Sequence, residues 1–317
     1  MQLYALDAGD PLAAAVAASL HEPLAAHEER RFDDGECKLR PLADPRGAQA
    51  VIVASLHGDA AGSPHDRLWR LLLLASALRD HGARRVTALL SYLAYARKDA
   101  RTQPFDPLSL QLVAQLMEAA GLGQVVVLEP HNPAAFGSAF RCQAVHVPGW
   151  QAFWEFARLQ AQRGPLTVAS PDPGGVRRAL RWREELAARL GEAVGFAMVD
   201  KRRSAGVLSG GELVAGEVRG RTVLLLDDLV CSGQTLARAA VALRRAGAQD
   251  VIGLATHGLF GPGSSQALGA EGLTQLVVTD SVPDPLSRLA ADSAVRDRVQ
   301  VVPVAALLGR ALTQVLG

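Results

Sequence analysis

The sequence has little net charge, no long hydrophobic run and few cysteines. Its formal net charge is +1 over 317 residues, which argues against a surface built for nucleic acid or an anionic membrane. No apolar run approaches the roughly 20 residues that span a bilayer, and the first residues lack the basic and apolar regions of a signal peptide. Cys37, Cys142 and Cys231 are scattered, without a CxxC pair. We therefore expect reduced thiols in the cytoplasm rather than disulfides or a zinc site.

Lysine and asparagine are also rare. Only three of the 33 basic residues are lysines, Lys38, Lys98 and Lys201, and Asn132 is the only asparagine. Lysine is a compact point charge and arginine a planar fork, so these lysines indicate places where arginine would not serve. Each of the four could be an ordinary surface residue. However, all four lie within or beside the stretches that carry candidate chemistry.

Short apolar runs rich in β-branched residues alternate with amphipathic runs of helical length. The candidate strands are Ala50–Leu56, Val86–Tyr92, Val125–Leu128, Thr167–Ser170, Val194–Val199, Val223–Leu226 and Val251–Thr256. The helical runs include Leu68–Arg79, Leu108–Ala120, Val176–Leu190 and Leu236–Ala246. Short apolar strands joined by helices are typical of parallel sheets covered on both faces. The sequence therefore predicts an α/β protein.

A weak internal repeat suggests two related domains. ALRDHGARRVTALL begins at Ala77 and ALRRAGAQDVIGLA at Ala242, and each places a glycine between a helical and a strand-like run. Any helix–glycine–strand unit in a chain rich in Ala, Leu and Arg could look similar. The length of 317 residues nevertheless suits two domains. We expect them at 1–148 and 149–317, with the last helix a candidate to pack on the first domain.

The stretch LLLDDLVCSGQTLARAA, Leu224–Ala240, is the most informative. A buried strand would deliver Asp227 and Asp228 at its carboxyl end, where open α/β sheets bind ligands. The turn Cys231–Thr235 leads into a helix, and its backbone N–H groups can form a nest for an anion such as phosphate. Carboxylates cannot hold that anion, but they can accept hydrogen bonds from ribose hydroxyls or reach Mg²⁺. The stretch predicts a sugar-phosphate site, although acidic residues can also merely cap a strand–turn–helix corner.

This stretch resembles the phosphoribosyl-diphosphate-binding loop of type I phosphoribosyltransferases. Other stretches extend the resemblance, over nearly the whole chain, to the ribose-phosphate diphosphokinase (PRPP synthetase) family. The resemblance implies two tandem type I phosphoribosyltransferase-like domains, each a mainly parallel sheet flanked by helices. Only the second copy would keep the phosphate loop, since the matching region His57–Arg70 lacks the paired acids. The implied ribose 5-phosphate contacts are Asp227, Asp228, Cys231, Ser232, Gly233, Gln234 and Thr235.

Two stretches resemble the ATP-binding loops of this family. RRFDDGECK, from Arg30, is similar to Arg-Phe-Ser-Asp-Gly-Glu, whose aromatic and acidic residues would contact adenine. SYLAYARKDAR, from Ser91, is similar to Tyr-x-x-Tyr-Ala-Arg-Gln-Asp-Arg, whose basic residues would neutralise the triphosphate. Standing alone, the first stretch would equally suit an acidic β-turn. A solvated basic turn is the less favoured alternative for the second stretch, because an aromatic-rich strand leads directly into it. The implied ATP contacts are Phe32, Asp34, Glu36, Arg97 and Lys98.

Three more stretches resemble the metal-binding and catalytic segments of the family. VVVLEPHNPAAF is similar to the segment with Asp-Leu-His, and VASPDPGGVRRAL to the one with Ser-Pro-Asp-x-Gly-Gly, which implies that His131 and Asp172 contact the metal. MVDKRRSAGVLSGGE is similar to the flexible catalytic loop with Asp-Lys-Arg-Arg-Pro. This implies that Lys201 and Arg203 close over the transferring group.

The implied reaction converts ATP and ribose 5-phosphate to 5-phosphoribosyl 1-diphosphate and AMP. The anomeric hydroxyl would attack the β-phosphorus of ATP, with Mg²⁺ as the cofactor and charge neutralisation as the main contribution of the protein. The family also implies a cytoplasmic homo-oligomer, because the Phe32 loop often serves a neighbouring subunit. Neither nucleic acid nor a membrane is an expected partner.

Departures from the family pattern keep three alternatives open. Cys231 stands where the family often has a third aspartate, and the proline after the catalytic arginines is missing. A regulatory subunit with little activity would explain both, and Glu129 in place of the family's aspartate also supports this alternative. A phosphoribosyltransferase that adds the sugar to a base would have no use for the ATP loops. A plain nucleotide-binding module would keep all of its measurable properties when Lys201 is replaced by alanine.

Overall fold

The computed structural model describes the backbone of residues 1–204, 207–269 and 271–317, and it leaves the side chains of residues 201–212 undescribed. The strands are β1 (Gln2–Ala5), β2 (His27–Arg31), β3 (Cys37–Pro41), β4 (Gln49–Ser55), β5 (Arg85–Tyr92), β6 (Gln124–Leu128), β7 (Gln143–Val147), β8 (Leu166–Ser170), β9 (Gly195–Ser204), β10 (Val207–Gly216), β11 (Thr222–Val230), β12 (Asp250–Gly258), β13 (Gln275–Thr279) and β14 (Val299–Val302). The helices are α1 (Pro11–Ser19), α2 (Pro64–Asp80), α3 (Ser109–Ala119), α4 (Pro133–Ala139), α5 (Trp154–Ala161), α6 (Val176–Leu190), α7 (Gln234–Arg245), α8 (Ser264–Gly269) and α9 (Ala305–Leu316). No helix in the described residues has the length and apolar character needed to cross a bilayer.

The chain forms two compact units. The first contains residues 1–148, 281–283 and 304–317, and the second contains residues 149–280 and 284–303. The first unit has a parallel five-stranded sheet in the order β1-β4-β5-β6-β7 and a separate antiparallel hairpin of β2 and β3. The second has a seven-stranded sheet in the order β10-β9-β8-β11-β12-β13-β14, in which only the pairing of β10 with β9 is antiparallel. The prediction of an α/β fold with mainly parallel sheets is confirmed.

The central strand β11 shows why its apolar run folds in this way. Val223 and Leu225 point to one face and pack in a core with helix α7. Leu224 and Leu226 point to the other face and pack with helix α6. All four are buried, so the strand needs apolar residues at successive positions, as parallel strands covered on both faces do.

The order of the parallel strands is the same in the two units. β1-β4-β5-β6-β7 in the first unit corresponds to β8-β11-β12-β13-β14 in the second. The repeated stretches at Ala77 and Ala242 therefore fall on equivalent elements, because each begins in a helix (α2 or α7) and ends in the next strand (β5 or β12). The first unit has a longer loop before its helix, since β4 ends at Ser55 and α2 begins at Pro64.

Candidate active site

The carboxyl ends of β8 and β11 border a crevice in the second unit. From these neighbouring strands the chain crosses in opposite directions, from β8 through α6 to β9 and from β11 through α7 to β12. β8 and β11 pair only as far as Ala169 and Leu225, and β11 then continues along β12 to Val230. A reversal of strand order of this kind is where open α/β sheets bind ligands.

Asp227 and Asp228 lie inside strand β11, not after it as the sequence predicts. The predicted strand ends at Leu226, but β11 reaches Val230 because β12 supplies hydrogen bonds beyond the end of β8. Both carboxyl groups therefore project from a fixed strand beside the crevice. The carboxylate of Asp227 also accepts a hydrogen bond from the backbone N–H of Asp228 at 2.9 Å, which fixes its rotamer.

Arg178 of helix α6 faces both aspartates. Its Nη1 lies 3.4 Å from Oδ1 of Asp228 and 3.9 Å from Oδ1 of Asp227. Burial, followed by the charge of Asp228, raises the pKa of Asp227 well above its usual range, and Arg178 only partly offsets this. Arg178 thus joins two carboxyl groups at the edge of the crevice, where carboxyl oxygens can accept hydrogen bonds or bind a cation.

The loop after β8 brings Asp172 to the same edge of the sheet. The carboxylate of Asp172 accepts a hydrogen bond from the backbone N–H of Gly175 at 3.1 Å and so caps the short turn Pro173–Gly175. Its backbone oxygen accepts from the hydroxyl of Ser170 at 2.6 Å. A side chain at position 175 would come within 2.7 Å of the Ser170 oxygen, which explains the second glycine of the motif. This turn leads directly into α6 and so places Arg178.

The turn predicted at Cys231–Thr235 leads into helix α7, which begins at Gln234, two residues before the predicted start at Leu236. Gly233 is the residue before the helix and has φ of +73°, and a Cβ there would lie 2.6 Å from Leu268. Only glycine both adopts this positive φ readily and avoids a clash with Leu268. Gly233 has no side chain to cap the helix, and the N–H of Gln234 donates only a long hydrogen bond of 3.5 Å to the hydroxyl of Ser232. The start of a helix directs its first N–H groups outward, where they can bind an anion.

Cys231 is half-buried at the start of this turn. Its backbone oxygen accepts a hydrogen bond from the N–H of Gly261 at 2.9 Å. A Cβ at position 261 would lie 3.3 Å from the Cys231 sulfur. The thiol is thus packed against the segment that follows β12.

Lys201 and Arg203 lie near the end of strand β9. Their side chains belong to the part of the chain that the structure leaves undescribed, so the predicted catalytic pair lies outside the described residues. The backbone pairing of β9 with β8 and β10 places this strand at the edge of the parallel part of the sheet.

In the first unit, Phe32, Asp34 and Glu36 lie at the tip of the hairpin formed by β2 and β3. The N–H of Phe32 donates to the backbone oxygen of Glu36 at 2.8 Å, and the carboxylate of Asp34 accepts from the N–H of Glu36 at 3.0 Å. The Phe32 ring is 40% exposed, and the guanidinium carbon of Arg30 lies 5.0 Å from its centre. The tip therefore presents an aromatic face and acidic groups to solvent.

Arg97 and Lys98 follow β5 in a turn entered through Tyr95, which has φ of +64°. Arg97 is exposed, whereas Lys98 is half-buried. The ammonium of Lys98 pairs with Asp106 and donates to the hydroxyl of Thr102 at 3.0 Å. The predicted phosphate-binding lysine thus already has a carboxylate partner within its own loop, and Arg97 is the cation directed to solvent.

His131 is exposed and follows β6, after a sharp turn at Glu129, where φ is +39°. The next residue, Asn132, caps helix α4 by accepting from the N–H groups of Ala134 at 3.1 Å and Ala135 at 3.2 Å. Its amide also donates to Asp99 at 2.6 Å. The only asparagine thus joins the loop of His131 to the loop of Arg97 and Lys98.

The equivalent crevice of the first unit is filled by an arginine. Arg67 of α2 is 4% exposed. Its guanidinium pairs with Asp7 after β1 at 3.0 Å and with Asp59 after β4 at 2.9 Å. It also donates to the backbone oxygens of His57 and Gly62, each at 2.8 Å. The Arg67 guanidinium and its partners thus occupy the space that a sugar phosphate would need. This is consistent with the expectation that only the second copy binds a sugar phosphate.

Within each unit, the structure gathers predicted residues at the carboxyl ends of the parallel strands. In the second unit these are Asp172, the two aspartates of β11 and the turn before α7, and in the first they are the loops of Arg97 and His131. The tip that carries Phe32 belongs to the β2–β3 hairpin, which is a different sheet from the one that carries these loops. Arg178 was not predicted from the sequence as a site residue. The feature that could have indicated it is its position three residues after Gly175, which places it in the first turn of helix α6.

The donor set suits Mg²⁺ that is held mainly by substrate. The described residues contain no group of three or more His, Cys, Asp or Glu side chains placed to hold a metal. Mg²⁺ commonly takes one or two carboxylates and keeps water and substrate phosphates for its other positions. The carboxyl oxygens of Asp172, Asp227 and Asp228 are ligand atoms of the type that such an ion takes.

Three family models match the chain. The N-terminal domain of ribose phosphate pyrophosphokinase matches residues 1–121, the phosphoribosyl transferase domain matches residues 152–259, and the phosphoribosyl synthetase-associated domain matches residues 211–316. Together they span both units.

Curated relatives and a solved structure match over almost the full length. The ribose-phosphate pyrophosphokinase of Hyphomonas neptunium is 33% identical and that of Granulibacter bethesdensis 34% identical, and each match covers 99% of this chain and 96% of the relative. The crystal structure of phosphoribosylpyrophosphate synthetase from Mycobacterium smegmatis superposes with a TM-score of 0.85 at 30% identity, covering 99% of this chain and 98% of that one.

Proposed function

The chain belongs to the ribose-phosphate pyrophosphokinase family, and we infer that it transfers the diphosphoryl group of ATP to ribose 5-phosphate. The products are 5-phosphoribosyl 1-diphosphate and AMP. The family resemblance predicted from the sequence is thereby confirmed. The observation that supports the reaction most directly is the crevice of the second unit, where the start of helix α7 and two carboxyl groups lie at the end of one strand.

The sugar phosphate is assigned to this crevice. The N–H groups of residues 232–235 bind the 5-phosphate, with the hydroxyls of Ser232 and Thr235 as further donors and Gly233 shaping the turn. Asp227 and Asp228 accept from the ribose hydroxyls. Phosphate binding away from the reacting carbon then orients the anomeric hydroxyl toward the β-phosphorus.

ATP is assigned to the loops of the first unit. The exposed ring of Phe32 packs beside adenine, and Asp34 and Glu36 accept from its amino group. Arg97 neutralises phosphate charge, and Lys98 contributes from its pair with Asp106. Lys201 and Arg203 are proposed to stabilise charge on the transferring group and on AMP, which is the main task in phosphoryl transfer.

Mg²⁺ is the proposed metal, with Asp172 and His131 as separate candidate contacts in their own units. When bound, it would supply positive charge to the phosphate oxygens. The carboxylate of Asp172 is held by Gly175, so it can offer an oxygen without rearranging the turn.

We also propose a cytoplasmic homo-oligomer. Cys37, Cys142 and Cys231 are free thiols, which suits a reducing compartment. The exposed tip around Phe32 suits a surface that serves a neighbouring copy.

The reaction is tested by incubating the protein with ATP, ribose 5-phosphate and Mg²⁺ and measuring AMP and 5-phosphoribosyl 1-diphosphate. We expect the two products in equal amounts. Replacing Asp227 and Asp228 together by alanine should abolish turnover and calorimetric binding of ribose 5-phosphate. Asp250→Ala, at the opposite end of the same sheet, serves as the matched control and should retain both.

A regulatory subunit with little activity is the second candidate, favoured by Cys231. It predicts binding of ribose 5-phosphate without AMP formation, so the same experiment separates the two functions. Absence of AMP from folded protein with saturating substrates would reject the enzyme.

A further inference from the structure

The two faces of the β2–β3 hairpin are built differently. Glu29 lies opposite Leu39 across the hairpin, and Glu28 lies opposite Arg40. Residues directly opposite in an antiparallel pair point to the same face. Leu39 is buried in the core of the first unit, so Glu29 points inward, whereas Glu28 and Arg40 form an exposed pair at 2.6 Å.

Arg70 of helix α2 meets Glu29 on the inward face. Its Nη2 lies 2.5 Å from Oε2 of Glu29 and donates to the backbone oxygen of Leu6 at 2.8 Å. Its Nη1 lies 2.5 Å from Oδ1 of Asp7, which follows strand β1. The Arg70 side chain is only 8% exposed, so these contacts are far less screened than those of the outer pair.

The contacts continue to the hairpin tip. The other oxygen of Glu29, Oε1, accepts from Nε of Arg31 at 3.2 Å. Arg31 is the residue directly before Phe32, and Arg30 covers the Phe32 ring. An unbroken series of ion pairs therefore runs from Asp7 at the sheet, through Arg70 and Glu29, to the start of the tip.

We propose that Arg70 and Glu29 are positioning residues that hold the hairpin tip in place for the adenine of ATP. This role rests on the proposed function, in which Phe32, Asp34 and Glu36 contact adenine. Fixing the tip before ATP arrives removes the entropy of ordering an exposed loop from the cost of binding. The sugar-phosphate residues lie in the other unit and do not depend on this series of contacts.

Glu29→Ala is the appropriate test because it leaves no buried charge unpaired. Arg70 keeps Asp7 and the Leu6 oxygen, and Arg31 is 57% exposed. We expect KM for ATP to rise about tenfold, which corresponds to about 1.4 kcal/mol, because the tip must then be ordered when ATP binds, and each side chain immobilised on binding has a cost of this order. KM for ribose 5-phosphate and kcat should stay within about twofold of the unchanged protein.

Two variants calibrate this result. Glu29→Gln keeps an acceptor for Arg70 and should restore most of the affinity for ATP. Glu28→Ala removes the neighbouring carboxylate from the outward face of the same strand and should change neither KM. Equal effects of Glu29→Ala and Glu28→Ala on the KM for ATP, or equal rises in both KM values, would overturn the proposal.

Hydrogen exchange provides a readout that does not require catalysis. The amides of Phe32, Gly35 and Glu36 are hydrogen-bonded in the tip. We expect them to exchange faster in Glu29→Ala than in Glu28→Ala, with no difference in the strands of the second unit. Unchanged exchange would refute the positioning role, whereas inactive native protein would refute only the proposed function.

Discussion

At the scale of single residues, Asp227 is a carboxyl group in surroundings that disfavour its charged form. Burial and Asp228 raise its pKa, so the folded protein binds this proton more tightly than the unfolded chain, whose aspartate has a pKa of about 3.9. Stability therefore falls as pH rises from the unfolded pKa toward the raised folded pKa. The proposed contact with sugar hydroxyls would therefore be obtained at the expense of stability.

Asp227→Asn should remove this pH-dependent penalty. Asparagine fits the same space and carries no charge, so we expect stability at pH 8 to increase by about 1 kcal/mol, with no gain near pH 4. Binding of ribose 5-phosphate should weaken at the same time, because hydrogen bonds to a charged acceptor are the stronger ones. Urea unfolding across this pH range and calorimetry would measure both effects.

The comparison for this variant is Asp250→Asn. The Asp250 side chain is 40% exposed and pairs with Arg244, so its replacement should not produce a gain that grows with pH. A stability difference for Asp227→Asn that is constant, or largest at low pH, would contradict the assignment of the raised pKa.

At the scale of elements, the predictable parts were those with a continuous apolar run. Helix α6 begins and ends as predicted, and β4 and β5 each lie within one residue of the prediction at either end. The hairpin of β2 and β3 was not predicted as strands because neither strand contains an apolar run. β2 consists of His, Glu and Arg only, and the single buried residue of β3 is Leu39. The extension of β11 through Asp227 depends on hydrogen bonds from β12, which the local sequence does not contain.

The same limit applies to the site. The motifs indicated Asp172, Gly233 and the paired aspartates, because each stands at a characteristic spacing in a turn between a strand-like run and a helical run. Arg178 could not be distinguished from Arg177 beside it until the direction of helix α6 was known. Likewise, the pairing of Lys98 with Asp106 depends on how the intervening loop closes.

Gly233 allows the junction of β11 and α7 to be tested. Gly233→Ala adds backbone strain at φ of +73° and a contact of 2.6 Å with Leu268. We expect a loss of stability of about 2–3 kcal/mol from strain and overpacking together, and a loss of ribose 5-phosphate binding. Thermal unfolding and calorimetry would measure the two losses.

Gly191 provides the matched control for the strain. It has φ of +69° at the end of α6, but a Cβ there would meet nothing within 4 Å. Gly191→Ala should therefore lower the free energy of unfolding only through backbone strain, by about 1 kcal/mol, and leave ligand binding intact. Equal losses from the two variants would mean that packing against Leu268 does not contribute.

At the scale of the whole molecule, the first unit is completed by the end of the chain. Residues 304–317 belong to the first unit although residues 284–303 belong to the second, and helix α9 packs on α1. A first unit made from residues 1–148 alone would lack this helix and expose the apolar surface that it covers. We therefore attribute part of the stability of the first unit to residues 304–317, which are far from the rest of that unit in sequence.

Gly309 of α9 is the position where this packing can be tested. A Cβ at Gly309 would lie 2.4 Å from the hydroxyl oxygen of Ser19, the last residue of α1. Gly309→Leu should separate the helices and cost about 1–3 kcal/mol. Gly137→Leu is the control, because Gly137 is also helical and a Cβ there meets nothing within 4 Å.

In hydrogen exchange, Gly309→Leu should accelerate exchange of the amides of α1 and of the first-unit strands, while the amides of β8, β11 and β12 stay protected. Uniform acceleration across both sheets would show instead that α9 does not stabilise the first unit selectively.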